Sequence, residues 1–150
     1  MKKRLFFLLA VFCFLGLGVQ AQSTMSKGQL VGSLKVGFSD YGLPLGIAAD
    51  YGVVSGFING NAAVSVGGEV GVYISDVYTH LSLAARGNFH YEFVNNLDTY
   101  LGLNLGLVGR NFALNGHLGA RYYFGKVGVG LEFGMGNHAA GGTIGVSMKF

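Results

Sequence analysis

The sequence predicts an all-β protein, an eight-stranded antiparallel transmembrane β-barrel of up-and-down topology. The first observation is the segment from Thr143 to Phe150, in which apolar residues alternate with small or polar ones, the period of two that a β-strand imposes. The second is that seven earlier stretches repeat this alternation. The third is composition: glycine accounts for 27 of 150 residues and proline for one, which disfavours helices and leaves strands free to pair.

The first 21 residues have the pattern of a secretory signal peptide. A basic stretch at residues 2–4 precedes an apolar run from Leu5 to Val19, and the cut is expected after Ala21. The run is short of the ~20 residues that a membrane-spanning helix needs, and Phe12 is too bulky for a lipoprotein cleavage site before Cys13. We therefore expect residues 1–21 to be removed and residues 22–150 to form one barrel domain.

Removal of the signal leaves a formally neutral chain. The precursor has ten Lys and Arg against seven Asp and Glu, and three of the ten are residues 2–4, so seven remain against seven. The mature part therefore lacks the basic surface that nucleic-acid binding needs, and without cysteine it has no disulfide framework. No later apolar stretch approaches ~20 residues, which also disfavours a helical membrane protein.

The strands follow from the alternation and from the turn residues between them. They are predicted at residues 29–39, 45–58, 61–75, 80–93, 99–108, 117–124, 127–135 and 143–150. Asn59-Gly60 predicts a two-residue hairpin turn, because both positions tolerate a positive φ, and Gly125-Lys126 predicts a second tight turn. The even strand number puts both termini on the same side, which we expect to face the periplasm. The outer connections are expected at residues 41–44, 76–79, 110–116 and 136–142.

The charged residues test this layout most strongly. Seven of the fourteen in the mature chain fall on the polar face of strands: Lys35, Asp50, Glu69, Arg86, Arg121, Glu132 and Lys149. The other seven fall near strand ends or in connections, and none falls on the apolar face. A soluble β-barrel places apolar residues inside. This sequence fits the inverse pattern, with charged residues in the lumen and apolar residues toward lipid.

The turn positions also predict how the first of these charges pair. If the first three connections join the strand ends directly, Lys35 faces Asp50, Asp50 faces Glu69, and Glu69 faces Arg86. The lumen charge network would then begin as one lateral row of four charges, with Arg121 reaching across the lumen. The two neighbouring carboxylates repel each other, so we expect the flanking cations to stabilise them.

Aromatic residues on the apolar face fall near the two rims of the predicted barrel, as in interfacial girdles. Those near the periplasmic rim are Tyr51, Phe89, Tyr91, Tyr122, Phe124 and Phe150, and those near the outer rim are Phe38, Tyr41, Tyr78 and Phe112.

The signal peptide, the alternating strands and the stretches NNLDTYLGLNLG, GARYYFGKVGVGLEFGMG and TIGVSMKF resemble the small porin-like outer-membrane β-barrel proteins, structurally akin to OmpX and the OmpA transmembrane domain. The resemblance implies a Gram-negative outer membrane as the location and its lipids as partners. It also implies that the barrel assembly machinery reads the last strand, through Ile144, Val146, Met148 and Phe150. The family carries no common catalytic residues.

The sequence contains no residue set that fixes a biochemical activity. An eight-stranded barrel has room only for its own side chains, whereas aqueous channels need about sixteen strands, so a small-solute channel is the alternative and not the expectation. The best catalytic cluster is His80 with Ser82 and, across a short connection, Ser75; it resembles the His-x-Ser element of outer-membrane lipid deacylases. Glu92 lies too far along the strand to orient His80.

We therefore expect no enzyme activity, no cofactor and no metal site. His90, His117 and His138 have no paired ligand spacing, and no glycine-rich stretch opens a helix to bind phosphate. The predicted protein is a monomeric outer-membrane barrel with a charged, side-chain-filled lumen and a structural or surface-interaction role. A lipid-modifying barrel enzyme is the further alternative.

Overall fold

Eight antiparallel strands close into a barrel in the computed structural model, which describes residues 25–137 and 141–150. The strands are β1 (Leu30–Phe38), β2 (Leu43–Phe57), β3 (Ala62–Ile74), β4 (Thr79–Val94), β5 (Leu97–Val108), β6 (Asn111–Phe124), β7 (Val127–Gly136) and β8 (Gly142–Lys149). Each pairs with its neighbour in sequence, and β1 pairs with β8 to close the wall. This confirms the predicted eight-stranded up-and-down barrel.

The described residues contain no helix with the length and hydropathy of a membrane span. The predicted signal peptide, residues 1–21, lies outside the described residues, as does His138.

The side chains of each strand alternate between the outer surface and the lumen. The four leucines of β5 from Leu101 to Leu107 are 49–62% exposed. On the opposite face of the same strand, Tyr100 and Asp98 are 5% and 1% exposed. A polar interior and an apolar exterior are the inverse of a soluble barrel.

The predicted pairing of the first four strands is wrong, by an even number of residues in each hairpin. Lys35 on β1 faces Gly46 on β2, and not Asp50. Asp50 on β2 faces Gly67 on β3, and Glu69 on β3 faces Ala84 on β4. The predicted row of four directly opposed charges therefore does not form. An even shift leaves each side chain on its own face of the sheet, so all four charges still point into the lumen.

Bulges explain the shift between β2 and β3. The turn itself is as predicted, since Asn59 and Gly60 have φ of 61° and 85°. Two irregularities in β2 then follow, one between Gly52 and Val54 and one between Ser55 and Phe57. Each bulge adds an unpaired residue to one strand, so the pairing at Asp50 is displaced by two residues. The turn sequence gives no signal for these two bulges.

Strand β6 begins at Asn111, six residues before the predicted start at His117, so the predicted connection at residues 110–116 is wrong. Only Gly109 and Arg110 join β5 to β6. Phe112 is 60% exposed on the outer wall, so the alternation extends through this segment. Asparagine usually signals a turn, but in a polar lumen it also suits an inward strand position. The connections along the whole barrel are two to five residues long.

The ion-pair network of the lumen as candidate functional site

Arg86 on β4 is the centre of a buried ion-pair network. Its Nη1 lies 2.6 Å from Glu69 Oε2 and its Nη2 lies 2.9 Å from Glu132 Oε2. Its Nε adds an ion-pair contact of 3.1 Å to Asp50 Oδ1, outside hydrogen-bond geometry. The Arg86 side chain is 1% exposed. Because a guanidinium presents five N–H donors in one plane, this single side chain ties β4 to β2, β3 and β7.

Lys35 on β1 shares two of these carboxylates. Its Nζ lies 2.6 Å from Glu69 Oε2 and 2.8 Å from Glu132 Oε1. On either side of Lys35 the neighbouring strands carry glycine, Gly46 on β2 and Gly145 on β8. The missing side chains leave space for the lysine to extend across the lumen. Glycine therefore has a packing role at these two positions.

Arg121 on β6 organises the part of the network nearer the termini. Its Nε donates to Asp98 Oδ2 at 3.2 Å, and its Nη1 lies 3.4 Å from Asp50 Oδ2. The guanidinium carbon lies 4.3 Å from the centre of the Tyr100 ring, within the range of a cation–π contact. Tyr100 in turn donates to Glu132 at 2.9 Å. Asp50 and Glu132 thus join the two arginines into one network.

A hydrogen-bonded chain leads from Ser65 through His90 to Asp98. Ser65 Oγ lies 2.9 Å from His90 Nε2, and His90 Nδ1 lies 2.8 Å from Asp98 Oδ1. This is the residue order of a hydrolytic triad. However, Ser65 is 0% exposed, and Asn88 donates to both its hydroxyl oxygen and Asp50. We interpret the chain as a structural relay that extends the ion-pair network toward the termini.

Six of the seven charges predicted for the lumen meet in this network: Lys35, Asp50, Glu69, Arg86, Arg121 and Glu132. The seventh, Lys149, lies apart from their ion pairs, with its Nζ 3.9 Å from the centre of the Tyr123 ring.

Sequence reasoning missed two lumen carboxylates, Glu92 and Asp98, which are 3% and 1% exposed. It placed them near strand ends because β4 and β5 continue further toward their shared turn than predicted. The available signal was the polar face of β5, which continues from Asn104 through Tyr100 to Asp98. His90 and Asn88 were missed for a different reason: their partners depend on the register.

Apolar clusters lie at both ends of the lumen. The cluster near the termini consists of Met25, Val31 and Ala63. The cluster near the opposite end, which we call the loop-side cluster, consists of Tyr73, Val108 and Ala113. The ion pairs therefore lie between two apolar layers, where the low dielectric strengthens charge interactions and raises the cost of an unpaired charge.

Met25 reaches the lumen because the segment before β1 docks on β2. The backbone N–H of Gly28 donates to the Gly52 carbonyl at 2.8 Å, and the N–H of Gly52 donates to Gln29 at 2.9 Å. A Cβ atom at Gly52 would overlap the carbonyl oxygen of Ser26. Glycine at position 52 is therefore needed for this segment to close over the end of the lumen.

The best candidate for a catalytic cluster lacks the expected pairing of Ser75 with His80. His80 faces Tyr73 and not Ser75, and the Ser75 hydroxyl donates instead to the Tyr78 carbonyl at 2.8 Å. The connection spans residues 75–78, one residue earlier than predicted, and this moves the register. Ser82 remains on the lumen face, opposite Gly71. Across the described parts of the chain, no group of three or more His, Cys, Asp or Glu residues could hold a metal ion.

The residues assigned to the assembly signal all point outward on β8 and at its end. Ile144, Val146, Met148 and Phe150 are 57%, 50%, 44% and 69% exposed. The backbone N–H of Phe150 donates to the Leu30 carbonyl at 2.9 Å. The last residue therefore takes part in closing the wall.

A comparison with solved structures gives a match to a transmembrane β-barrel designed de novo, with a TM-score of 0.66 and 19% sequence identity, covering 84% of this chain and 98% of that chain. No protein-family model and no curated protein matches the chain. The likeness to the designed barrel concerns the fold, which the closed antiparallel wall already shows. The resemblance to natural porin-like proteins stays a prediction.

Proposed function

We propose that this protein is a bacterial outer-membrane barrel with a structural or surface-interaction role, and that it is neither a channel nor an enzyme. The main support for the proposal is the ion-pair network that spans the lumen. Arg86, Lys35 and Arg121 join carboxylates from opposite sides of the wall at 2.6–3.4 Å. Side chains engaged in these ion pairs occupy the middle of the lumen, which supports a barrel that does not conduct.

The outer surface supports insertion into a bilayer. Leu34 on β1, Leu103 on β5 and Phe133 on β7 are 62%, 62% and 53% exposed. They lie on different sides of the barrel, so the apolar surface forms a belt and not a single patch. Monomeric soluble proteins rarely expose such a surface to water. In a bilayer, the apolar acyl chains of lipid would cover it.

The location and partners rest on sequence features. The signal at residues 1–21 favours export across the inner membrane, and the outward residues at the end of β8, with Phe150 last, favour recognition by the barrel assembly machinery. Outer-membrane lipids would contact the apolar belt. Because the connections are short, a protein partner would meet the outer wall or a small surface at the barrel rim.

Conductance in a planar bilayer tests the closed lumen. The refolded protein is expected to insert without a steady ion conductance above that of the bare bilayer, because charged side chains fill the lumen. A sixteen-stranded porin refolded in the same way serves as the positive control. Insertion is verified separately by protease protection in vesicles. Steady open channels from inserted wild-type protein would contradict the proposal and favour the small-solute channel.

A further inference from the structure

A small polar chamber lies in the lumen between the ion-pair network and the loop-side cluster. Its volume is about 50 Å³, and a buried water needs at least ~10–15 Å³. The chamber therefore has room for about three to five waters or for an ion with part of its hydration shell. Lys35, Glu69 and Glu132 lie at the base, and Tyr73 of the loop-side cluster lies among the lining residues.

Four chamber residues carry a buried polar atom without a hydrogen-bond partner among the described residues. These atoms are Asn104 Oδ1, Asn115 Oδ1, His117 Nδ1 and Thr143 Oγ1. Asn115 and His117 are 8% and 3% exposed. Buried polar atoms are normally paired, and an unpaired one costs ~1–3 kcal/mol. Four such atoms around one chamber indicate an occupant.

The unpartnered buried atoms of the chamber are mainly acceptors. Asn88 uses its Nδ2 as a donor to Asp50 and Ser65. Its Oδ1, 2.6 Å from His117 Nε2, therefore accepts from that nitrogen, and the longer 3.2 Å contact of Arg86 Nη2 with the same nitrogen is then no hydrogen bond. His117 Nδ1 is then left with a lone pair. The two asparagine oxygens are acceptors as well, and the Thr143 hydroxyl can act as one.

Glu69 adds a charged acceptor. Both Lys35 and Arg86 contact its Oε2, so its Oε1 remains for another ligand. Its side chain is 23% exposed, the most open in the network, against 10% for Glu132. The amide, hydroxyl and carboxylate oxygens of these residues are hard ligands of the kind that alkali and alkaline-earth cations prefer.

The charge balance also favours a cation. Lys35, Arg86 and Arg121 bring three positive charges to the network, and Asp50, Glu69, Asp98 and Glu132 bring four negative ones. Without counting His90, whose Nδ1 lies 2.8 Å from Asp98 Oδ1, the network has one carboxylate more than it has cations. Lys149 and Glu92 elsewhere in the lumen have one charge of each sign and leave the balance unchanged.

We propose that this chamber binds a monovalent cation such as sodium, held by Glu69, Asn104, Asn115 and Thr143. A single free carboxylate oxygen and the small volume disfavour Ca²⁺, which takes 6–8 oxygen ligands. The ion gives the chamber's acceptors a partner. Cation binding in the chamber does not depend on whether the barrel conducts ions or binds other proteins.

Unfolding by urea in uncharged detergent micelles tests this, with sodium chloride compared with N-methylglucamine chloride at equal ionic strength. A ligand that binds only the folded state multiplies the folding equilibrium constant by 1 + [L]/Kd. Above the dissociation constant, each tenfold rise in sodium should therefore raise that constant about tenfold. N-methylglucamine is too large for the chamber and should have no such effect.

Two variants on one strand locate the effect. Thr143→Val removes a chamber oxygen without changing the side-chain shape, and it should raise the dissociation constant for sodium at least several-fold. Ser147→Ala removes a lumen hydroxyl that pairs with Ser33 at 2.8 Å, away from the chamber, and should keep the full dependence. Thallium(I), a heavy monovalent cation, should give an anomalous diffraction peak in the chamber of crystals.

Two results would overturn the proposal. Equal unfolding midpoints in sodium and N-methylglucamine would show that the chamber holds water alone. A sodium dependence that survives Thr143→Val unchanged, with no thallium peak in the chamber, would place the cation elsewhere.

Discussion

Replacement of Arg86 by methionine is expected to destabilise the folded barrel by about 3–5 kcal/mol, the range for breaking a buried ion pair. Arg86 contacts Glu69, Glu132 and Asp50 at 2.6, 2.9 and 3.1 Å from a side chain that is 1% exposed. Methionine fills similar space but leaves these carboxylates to share the remaining cations. Urea unfolding in detergent micelles measures the loss.

A matched arginine and a second-site change make this result specific. Arg110 lies exposed in the connection between β5 and β6, and Arg110→Met should cost only ~0–1 kcal/mol, as for surface charges. In the Arg86→Met background, Glu69→Gln should recover part of the loss because it removes one stranded charge. Equal unfolding midpoints for Arg86→Met and Arg110→Met would show that the network does not hold the wall.

The second large effect is expected on the outer wall. Leu103 lies in the middle of β5 and is 62% exposed. Leu103→Arg should reduce the free energy of folding into a bilayer by about 2–4 kcal/mol, the cost of a cation at the bilayer midplane. The measurement is reversible folding into lipid vesicles, followed by the gel shift of the folded barrel.

The control for Leu103→Arg is the same substitution near the rim. Val127 begins β7 beside the turn at Gly125-Lys126 and is 45% exposed. Val127→Arg should cost ~0–1 kcal/mol, because its guanidinium reaches the interface. If Leu103→Arg is tolerated as well as Val127→Arg, the middle of β5 does not face hydrocarbon.

The barrel was predictable from the sequence because strand alternation and charge placement are local signals. In β5, leucine recurs at every second position from Leu101 to Leu107, and this alone identifies the outer face. Some turns were accessible too: Asn59-Gly60 is a turn with two positive φ angles. Such local signals determine on which face of the sheet each side chain lies. A register error of an even number of residues leaves that face unchanged.

The exact contacts of the lumen were not predictable in the same way. The two bulges in β2 move the partner of Asp50 from Glu69 to Gly67, and bulges have no strong sequence signal in a glycine-rich strand. Lumen contacts such as that of Arg86 with Glu132 at 2.9 Å join strands that are not neighbours. They depend on barrel closure and on the depth of each residue, neither of which a strand pattern contains.

The central claim, that an apolar wall faces lipid all around the barrel, is tested most directly by fluorescence quenching in vesicles. The chain has no tryptophan, so single-tryptophan variants have no background. Leu34 on β1 and Leu103 on β5 both point outward, on opposite sides of the barrel. Tryptophan at either position, in Leu34→Trp or Leu103→Trp, should be strongly quenched by lipids brominated along their acyl chains. Asp76→Trp, in an exposed connection, should be quenched weakly. Equally weak quenching at all three positions, or strong quenching on one side only, would contradict a lipid-facing belt.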